Sequence, residues 1–335
     1  MAIEIFKDSN IVEVATAAAR HEMIDSKVRE DADKLIKDLA SDPNPHNKYQ
    51  IAQLVKFAVN DIVKRDTNWL DMIADTKRVG FGDKAEFDVK LPGVRAFIQA
   101  KGATTPRTKD SRKGFTMETI SISARPFINI VELQNGLANA ADLINSASYQ
   151  MEVGINKYVQ DVLLAAAVNW SAPYYGTGST GVVKATIDPM IIHWIRTTGG
   201  AAILGDIAEL NKLGPLTGWT STTNTQQYAD QLIVEQNANV FLGTYLGAKA
   251  IALTNPFMED GTDNVVFDAK KLYILPIGVD ASMRPLKVVF EGDVFSTEAT
   301  NINDLSWEIR LDQYFNAGIA YGDRPYMGVY ADSST

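Results

Sequence analysis

The sequence contains no cysteine. That excludes disulfides, thiolate nucleophiles and Cys-ligated zinc or iron–sulfur centres. Histidine is almost as scarce. His21, His46 and His193 stand far apart and show no metal-ligand spacing. No apolar run approaches about 18 residues, so no segment reads as a membrane span. The opening Met1-Ala2-Ile3-Glu4-Ile5-Phe6-Lys7-Asp8 lacks the basic-then-apolar order of a signal peptide. The expectation is a chain made in the cytoplasm. Positive charge is in deficit: 32 Lys and Arg against 41 Asp and Glu give a net charge of -9. This argues against tight binding of the whole chain to nucleic acid or a membrane surface, because phosphate neutralisation supplies most of such affinity. Internal repeats and low-complexity tracts are missing too.

What is present is a globular composition. The chain has 335 residues, 46% hydrophobic and 22% charged. That suffices for one elaborate domain or two to three small ones, each with a core.

Motifs for chemistry fail one by one. Gly176-Thr177-Gly178-Ser179-Thr180-Gly181 fits G-x-G-x-x-G in form. A dinucleotide fingerprint needs a strand before it and a helix after it. Here a long helix is expected before it, and Val182-Val183-Lys184-Ala185-Thr186 reads as extended, so a flexible turn is expected. No Gly-Lys-Ser/Thr triplet occurs, and Ser179 misses G-x-S-x-G because residue 177 is Thr. Glu259-Asp260-Gly261-Thr262-Asp263-Asn264 clusters oxygen ligands without EF-hand spacing and reads as a solvated loop. No carboxylate pair stands in an acid/base context. The residues imply no catalytic group, no metal and no cofactor.

Periodicity places the elements. Residues 11–40 read as one charged helix, with Ile24, Val28, Ala32, Leu35 and Leu39 as its apolar stripe. It is either a solvated helix with one packed face or an arm lying on a neighbour. The Asp42-Pro43-Asn44-Pro45 stretch breaks it, and Asn47 with Gln50 suggests the cap of a second helix carrying Ile51, Leu54, Val55, Ala58, Val59, Ile62 and Val63. From Lys77 the period becomes two. Ala85, Phe87 and Val89 alternate with Lys84, Glu86, Asp88 and Lys90, and alternation resumes at Phe115 and Met117 after a polar stretch. These are paired strands that reach out to a loop and return, a ribbon with little core of its own. Leu137, Ala141, Ile144, Ser148, Met151, Ile155, Tyr158 and Val162 then mark a helix over about 137–167, roughly 45 Å long. Its alanine-rich stripe and Gly154 suit packing on a sheet better than a coiled-coil seam.

Beyond it, Asp188-Pro189 suggests a helix start and Gly199-Gly200 its end. Ala201–Leu204 reads as a buried strand, and a short helix is expected between Asp206 and Gly214. Residues 217–227 read as a polar loop and 228–236 as a helical turn. Strands are expected around 239–242, 248–254, 271–276, 286–291, 305–311 and 314–321.

The ribbon tip differs from the rest of this acidic chain. Lys101, Arg107, Lys109, Arg112 and Lys113 are opposed only by Asp110. Such a patch suits contact with acidic surface on another copy. The plain alternative is a solvated loop tip, since exposed pairs contribute little.

This order of parts resembles the major capsid proteins of tailed double-stranded DNA bacteriophages, whose Hong Kong 97-type fold is shared with encapsulins. Ala201-Ala202-Ile203-Leu204-Gly205-Asp206-Ile207-Ala208-Glu209-Leu210 is similar to the family's axial strand–turn–helix. The run Leu242–Pro256 is similar to its glycine turn and apolar strand, and Glu308–Asp312 and Asn316–Ala320 to its closing strands. The likeness spans nearly the whole chain, and element order carries it more than any single motif. It implies an α+β capsid fold divided into an N-terminal arm (1–45), the start of a peripheral domain (46–75), an extended β-loop (76–128), a spine helix with more of the peripheral domain (129–185), an axial domain (186–258) and return strands (259–335). It implies a non-enzymatic protein of the virion that assembles with itself, as pentamers and hexamers of an icosahedral shell around loosely held double-stranded DNA. Scaffolding, portal and decoration proteins are the further partners such a role admits. The same likeness admits an encapsulin-like compartment shell, told apart by protein cargo in place of DNA. A soluble α/β enzyme with an unrecognised site is the distant alternative, told apart by a small stable oligomer. Some relatives crosslink a loop lysine to an asparagine. Lys101, Lys109 and Lys113 qualify by place, but no motif selects one, so no crosslink is assigned.

Overall fold

The apolar stripes read from the sequence close into layers. A computed structural model describes residues 9–20, 22, 25–41, 45–67, 69–91, 107–109, 111–129, 137–167, 170, 174–179, 181–221, 241–253, 255, 265–266, 268–277, 280–300, 306–320 and 327–333. Its helices are α1 (Ser9–Ala19), α2 (Ser26–Ser41), α3 (Pro45–Asp66), α4 (Trp69–Ile73), α5 (Leu137–Ala167), α6 (Lys184–Thr198) and α7 (Ile207–Asn211). Its strands are β1 (Asp75–Val79), β2 (Glu86–Leu91), β3 (Ser111–Thr116), β4 (Ile120–Ala124), β5 (Phe127–Asn129), β6 (Tyr175–Gly178), β7 (Ala201–Gly205), β8 (Trp219–Ser221), β9 (Phe241–Tyr245), β10 (Ala248–Ala252), β11 (Lys271–Pro276), β12 (Leu286–Thr300), β13 (Ser306–Ile319) and β14 (Gly328–Asp332).

A five-stranded sheet runs β1-β12-β13-β4, with β5 also paired to β13. The long helix α5 packs on β13 and β4 and on α3, with α1 and α2 completing the layer. Ile144, Met151, Ile155 and Leu163 of α5 share one core with Leu54, Val55 and Val59 of α3 and with Phe290, Ile309, Leu311 and Phe315 of the sheet. Gly154 belongs in this contact: a Cβ there would stand 3.3 Å from Ile122 Cγ2 of β4. The glycine that weakens the isolated helix lets it approach the sheet. Two polar groups on the packed side find partners. Ser148 Oγ donates back to Ile144 O at 2.9 Å, and Tyr158 donates to Asn316 Oδ1 at 2.9 Å.

The second sheet runs β6-β14-β11-β7-β10-β9-β8. Its central strand β7 is buried throughout, as a strand covered on both faces must be. Ala202 and Leu204 face the α5 core, while Ala201 and Ile203 join a second core with Ile187, Met190, Ile191 and Trp194 of α6.

Several expectations need correction. The segment 11–40 is two helices, not one. Asp25 Oδ1 accepts from Lys27 N at 2.9 Å and starts α2 afresh. Val28 is 41% exposed, Ile36 takes its place in the stripe, and Ile24 lies outside the described residues. Both helices pack within their own chain. Asn47 is not a cap: Pro45 opens α3, and a proline at the first helical position loses no bond the helix needs. Likewise α6 begins at Lys184, so Val182–Thr186 is not all extended, and Asp188-Pro189 lies inside the helix. The Asp188 carboxylate is taken by the Tyr245 hydroxyl at 2.6 Å instead. The other end is as read, with Gly199 as a left-handed cap.

Residues 305–311 and 314–321 form one strand, β13, and β12 runs on past Glu291 to Thr300. A bulge around Gly292 (φ 63°) absorbs the mismatch in β12, so β13 needs no break. Trp219–Ser221, read as loop, pairs as β8, and β14 was not expected. Residues 228–236 lie outside the described residues. The sheets also cut across the expected division of the chain: β6, β11 and β14 join β7 and β10, although all three fall outside 186–258.

Candidate assembly surface

Strands β2 and β3 form a separate antiparallel ribbon, with Phe87 opposite Phe115 and Leu91 opposite Ser111. The alternation read from the sequence holds. Ala85, Phe87 and Val89 are buried, while Lys84, Glu86 and Asp88 are exposed. Phe87 and Ala85 join Met117 and Val289 of β12 in a small core of their own, so one ribbon face lies on the five-stranded sheet.

The basic residues sit at the far end. Arg107 and Lys109 are exposed just before β3, and Arg112 and Lys113 are exposed on it. Lys101 lies outside the described residues. The structure does not gather the four on one face. Arg112 stands opposite Lys90 and Lys113 opposite Val89, and successive residues of a strand point to opposite sides. Among the described residues no ion pair engages any of them.

Sequence reasoning missed the root of the ribbon. Glu291 on β12 reaches both legs: Oε1 accepts from Gly82 N at 2.8 Å, and Oε2 accepts from the Thr119 hydroxyl. Asn316 donates to Glu118 O. Lys77 donates to Glu86 O and lies over the Phe87 ring. Phe81 stays 74% exposed, its ring edge-on to Tyr314 at 5.6 Å. No spacing rule marks Glu291 or Asn316, since their partners are far along the chain.

Beneath the root lies a buried ion pair. Asp75 and Lys287 face each other across β1 and β12, 2.8 Å apart, and Lys287 also donates to Ser282 O at 3.0 Å. Burial pushes the Lys287 amine below its ordinary value, with the hydrogen bond to Asp75 working against that fall. A second charged cluster ties β14 to α7. Lys212 bridges Glu209 at 2.7 Å and Asp332 at 2.6 Å. Burial raises the Glu209 carboxyl, and Lys212 opposes that rise. Both clusters join elements inside one subunit.

The glycine-rich segment is better placed than its sequence context suggests. Residues 175–178 are strand β6 and α6 follows, so the strand–turn–helix order is there after all. Yet the turn is filled. Tyr330 donates to Gly181 O at 2.8 Å and accepts from Val183 N at 2.9 Å. A Cβ at Gly176 would strike Thr186 and Met190, and one at Gly178 would strike Tyr330. These glycines make room for side chains of the protein itself.

Of the histidines, His46 is within hydrogen-bond distance of Gln50, His193 packs on Tyr174 and Trp194, and His21 lies outside the described residues, as do 259–264. Among the described residues no group of three or more His, Asp or Glu could hold a metal ion, and no helix is long and apolar enough to cross a membrane.

Comparison with known proteins agrees with this architecture. Residues 3–331 match the family described as "SPbeta prophage-derived putative capsid protein YonB". No curated protein matches the sequence. The solved capsid of cyanophage A-1(L) is similar in structure, with a TM-score of 0.51 at 14% identity, over 82% of this chain and 94% of that one. A virus-like particle of Pyrococcus furiosus gives a TM-score of 0.48 at 12% identity over 84% and 99%. The head of Helicobacter pylori bacteriophage KHP40 gives 0.49 at 11% over 78% and 88%. With a family match over nearly its whole length and a fold shared with a phage capsid, this chain belongs to the YonB capsid-protein family: it is a structural protein of the virion capsid with the Hong Kong 97-type fold, not an enzyme.

Proposed function

We propose that copies of this chain assemble as pentamers and hexamers of an icosahedral shell around double-stranded DNA. The capsid-family match over residues 3–331 carries this reading. In it, α5 is the spine of a peripheral domain, and residues 186–258, with strands recruited from elsewhere, form an axial domain that meets its equivalents around the five- or six-fold axis. The ribbon within 76–128 lies across a neighbouring subunit. Its tip residues, Lys101, Arg107, Lys109, Arg112 and Lys113, meet acidic surface there. Support for this comes from the tip's charge on a chain of net charge -9 and from the absence of ion pairs at its described residues. Many such modest contacts, repeated around a shell, hold it by avidity. The negative balance suits a container that grips its DNA loosely. A portal, a separate scaffold and decoration proteins are the other partners this role calls for.

Negative-stain microscopy of the expressed protein, alone and with its neighbouring genes, tests the reading. Closed shells of uniform diameter that hold DNA are expected. Shells packed with protein and free of DNA would point to a cargo compartment. A small oligomer under every condition would overturn the assembly reading.

A further inference from the structure

Beyond the small core of Ala85, Phe87, Met117 and Val289, hydrogen bonds tie the root of the ribbon to its own subunit, and two of them converge on Glu291. A two-stranded ribbon is marginal by itself, so its direction depends on what holds its root. The first leg leaves β1 through the loop Gly80-Phe81-Gly82-Asp83, and the second returns to β4 through Met117-Glu118-Thr119. One carboxylate holds both, Gly82 N on Oε1 and the Thr119 hydroxyl on Oε2. Such charge-assisted bonds are stronger than neutral ones and fix geometry as well as distance.

The surroundings make this a pivot. Glu291 is the last β12 residue paired with β1, directly before the bulge. Gly292 there adopts φ 63°, and Phe81 packs over its bare Cα. Opposite Glu291 on β13 stands Tyr314, whose ring meets the Phe81 edge. Two residues on, Asn316 donates to Glu118 O and accepts from Tyr158 of α5, which links the second leg to the long helix.

We propose that Glu291 is a positioning residue: it clamps the two legs of the ribbon together and sets the direction in which the ribbon leaves the subunit. The clamp stands on contacts within one chain. Its consequence for assembly, a ribbon aimed at its neighbour before contact, rests on the ribbon reading under Proposed function. Preorganisation of this kind removes an ordering cost from each contact.

A chain without cysteine allows site-specific labels. Spin labels at Asp88→Cys on the ribbon and Lys157→Cys on α5, both exposed, report ribbon direction in the unassembled subunit. The parent pair should give one narrow distance distribution. Glu291→Ala should widen it at least two-fold, with the helical circular dichroism unchanged. Thr119→Val removes one donor and keeps the carboxylate, so it should widen the distribution less. It also serves alone should Glu291→Ala not fold. Asp293→Ala, on the same bulge but paired with Lys64 and away from the ribbon, should leave the width unchanged. Equal widths in all four proteins would overturn the clamp. So would equal widening in Asp293→Ala, which would mean a loosened bulge. Assembly is scored separately: wide distributions with normal shell formation would sink the ribbon-contact reading and leave the clamp intact.

Discussion

The long helix α5 and the β2–β3 ribbon follow one another in the chain and solve opposite problems. The helix buries Ile144, Met151, Ile155 and Leu163 against α3 and the five-stranded sheet of its own subunit. The ribbon buries Phe87 and Val89 on one face and leaves Arg107, Lys109, Arg112 and Lys113 in solvent. Apolar area removed from water stabilises the first by about 25 cal/mol per Å². Solvated charge stabilises the second hardly at all. One element is therefore built for folding, and the other is available for contact.

Four variants test that difference, from the largest effect on stability per residue changed to the smallest. Ile155→Asp puts an unpaired carboxylate at a fully buried position of α5. Its cost, above about 4 kcal/mol, takes up most of the stability of an ordinary domain. The expected product is insoluble or unfolded by circular dichroism, and a cooperatively folded subunit would break the comparison. Asp75→Ala leaves Lys287 buried without its anion, at a cost of about 3–5 kcal/mol. Denaturant unfolding should show a large fall in midpoint, and an unchanged midpoint would mean the pair is solvated.

Asp293→Asn removes an ion pair that is largely in water, worth less than about 1 kcal/mol. The hydrogen bond from Lys64 holds the Asp293 carboxyl below its ordinary value. A group lowered on folding contributes above its unfolded value and loses that contribution as pH falls through the folded one. The parent and Asp293→Asn should therefore differ slightly near neutral pH and converge in acid. Divergence on acidification would contradict the assignment. Last, changing Arg107, Lys109, Arg112 and Lys113 together to Glu should cost no more than about 2 kcal/mol, since each surface change usually lies within about 0.5 kcal/mol, and should leave a cooperatively folded subunit. Light scattering should nevertheless show assembly lost. Normal assembly would mean the tip is a solvated loop.

The elements that were legible are those whose signal is local and repeated. The stripe from Leu137 gave α5 its length. The alternation at Phe87 and Val89 gave the ribbon its buried face, and the apolar run Ala201–Leu204 gave the central strand. Helix starts were read less well. Pro45 and Lys184 begin α3 and α6 before Asn47 and Asp188, the polar residues that looked like caps, because a cap is a single residue and Asp188 had a distant partner in Tyr245. Of the candidate site, its basic residues were plain in the sequence. That Arg112 and Lys113 point to opposite sides follows from strand alternation, whereas which of them stands opposite the buried Val89 was not legible, because that depends on the register with β2.

The sequence by itself determined which segments must bury a face, that the chain has no thiol, and that five of its basic residues crowd into positions 101–113. Tertiary structure alone decided what each face is buried against. It brought β6, β11 and β14 into one sheet from across 158 residues of chain, from Tyr175 to Asp332. It filled the glycine turn with Tyr330, set Lys287 against Asp75, and closed Glu291 on both legs of the ribbon. Each of these is a contact between residues far apart in sequence. Hydrophobic period records only whether a side chain is hidden, and the identity of its partner is fixed when the layers close.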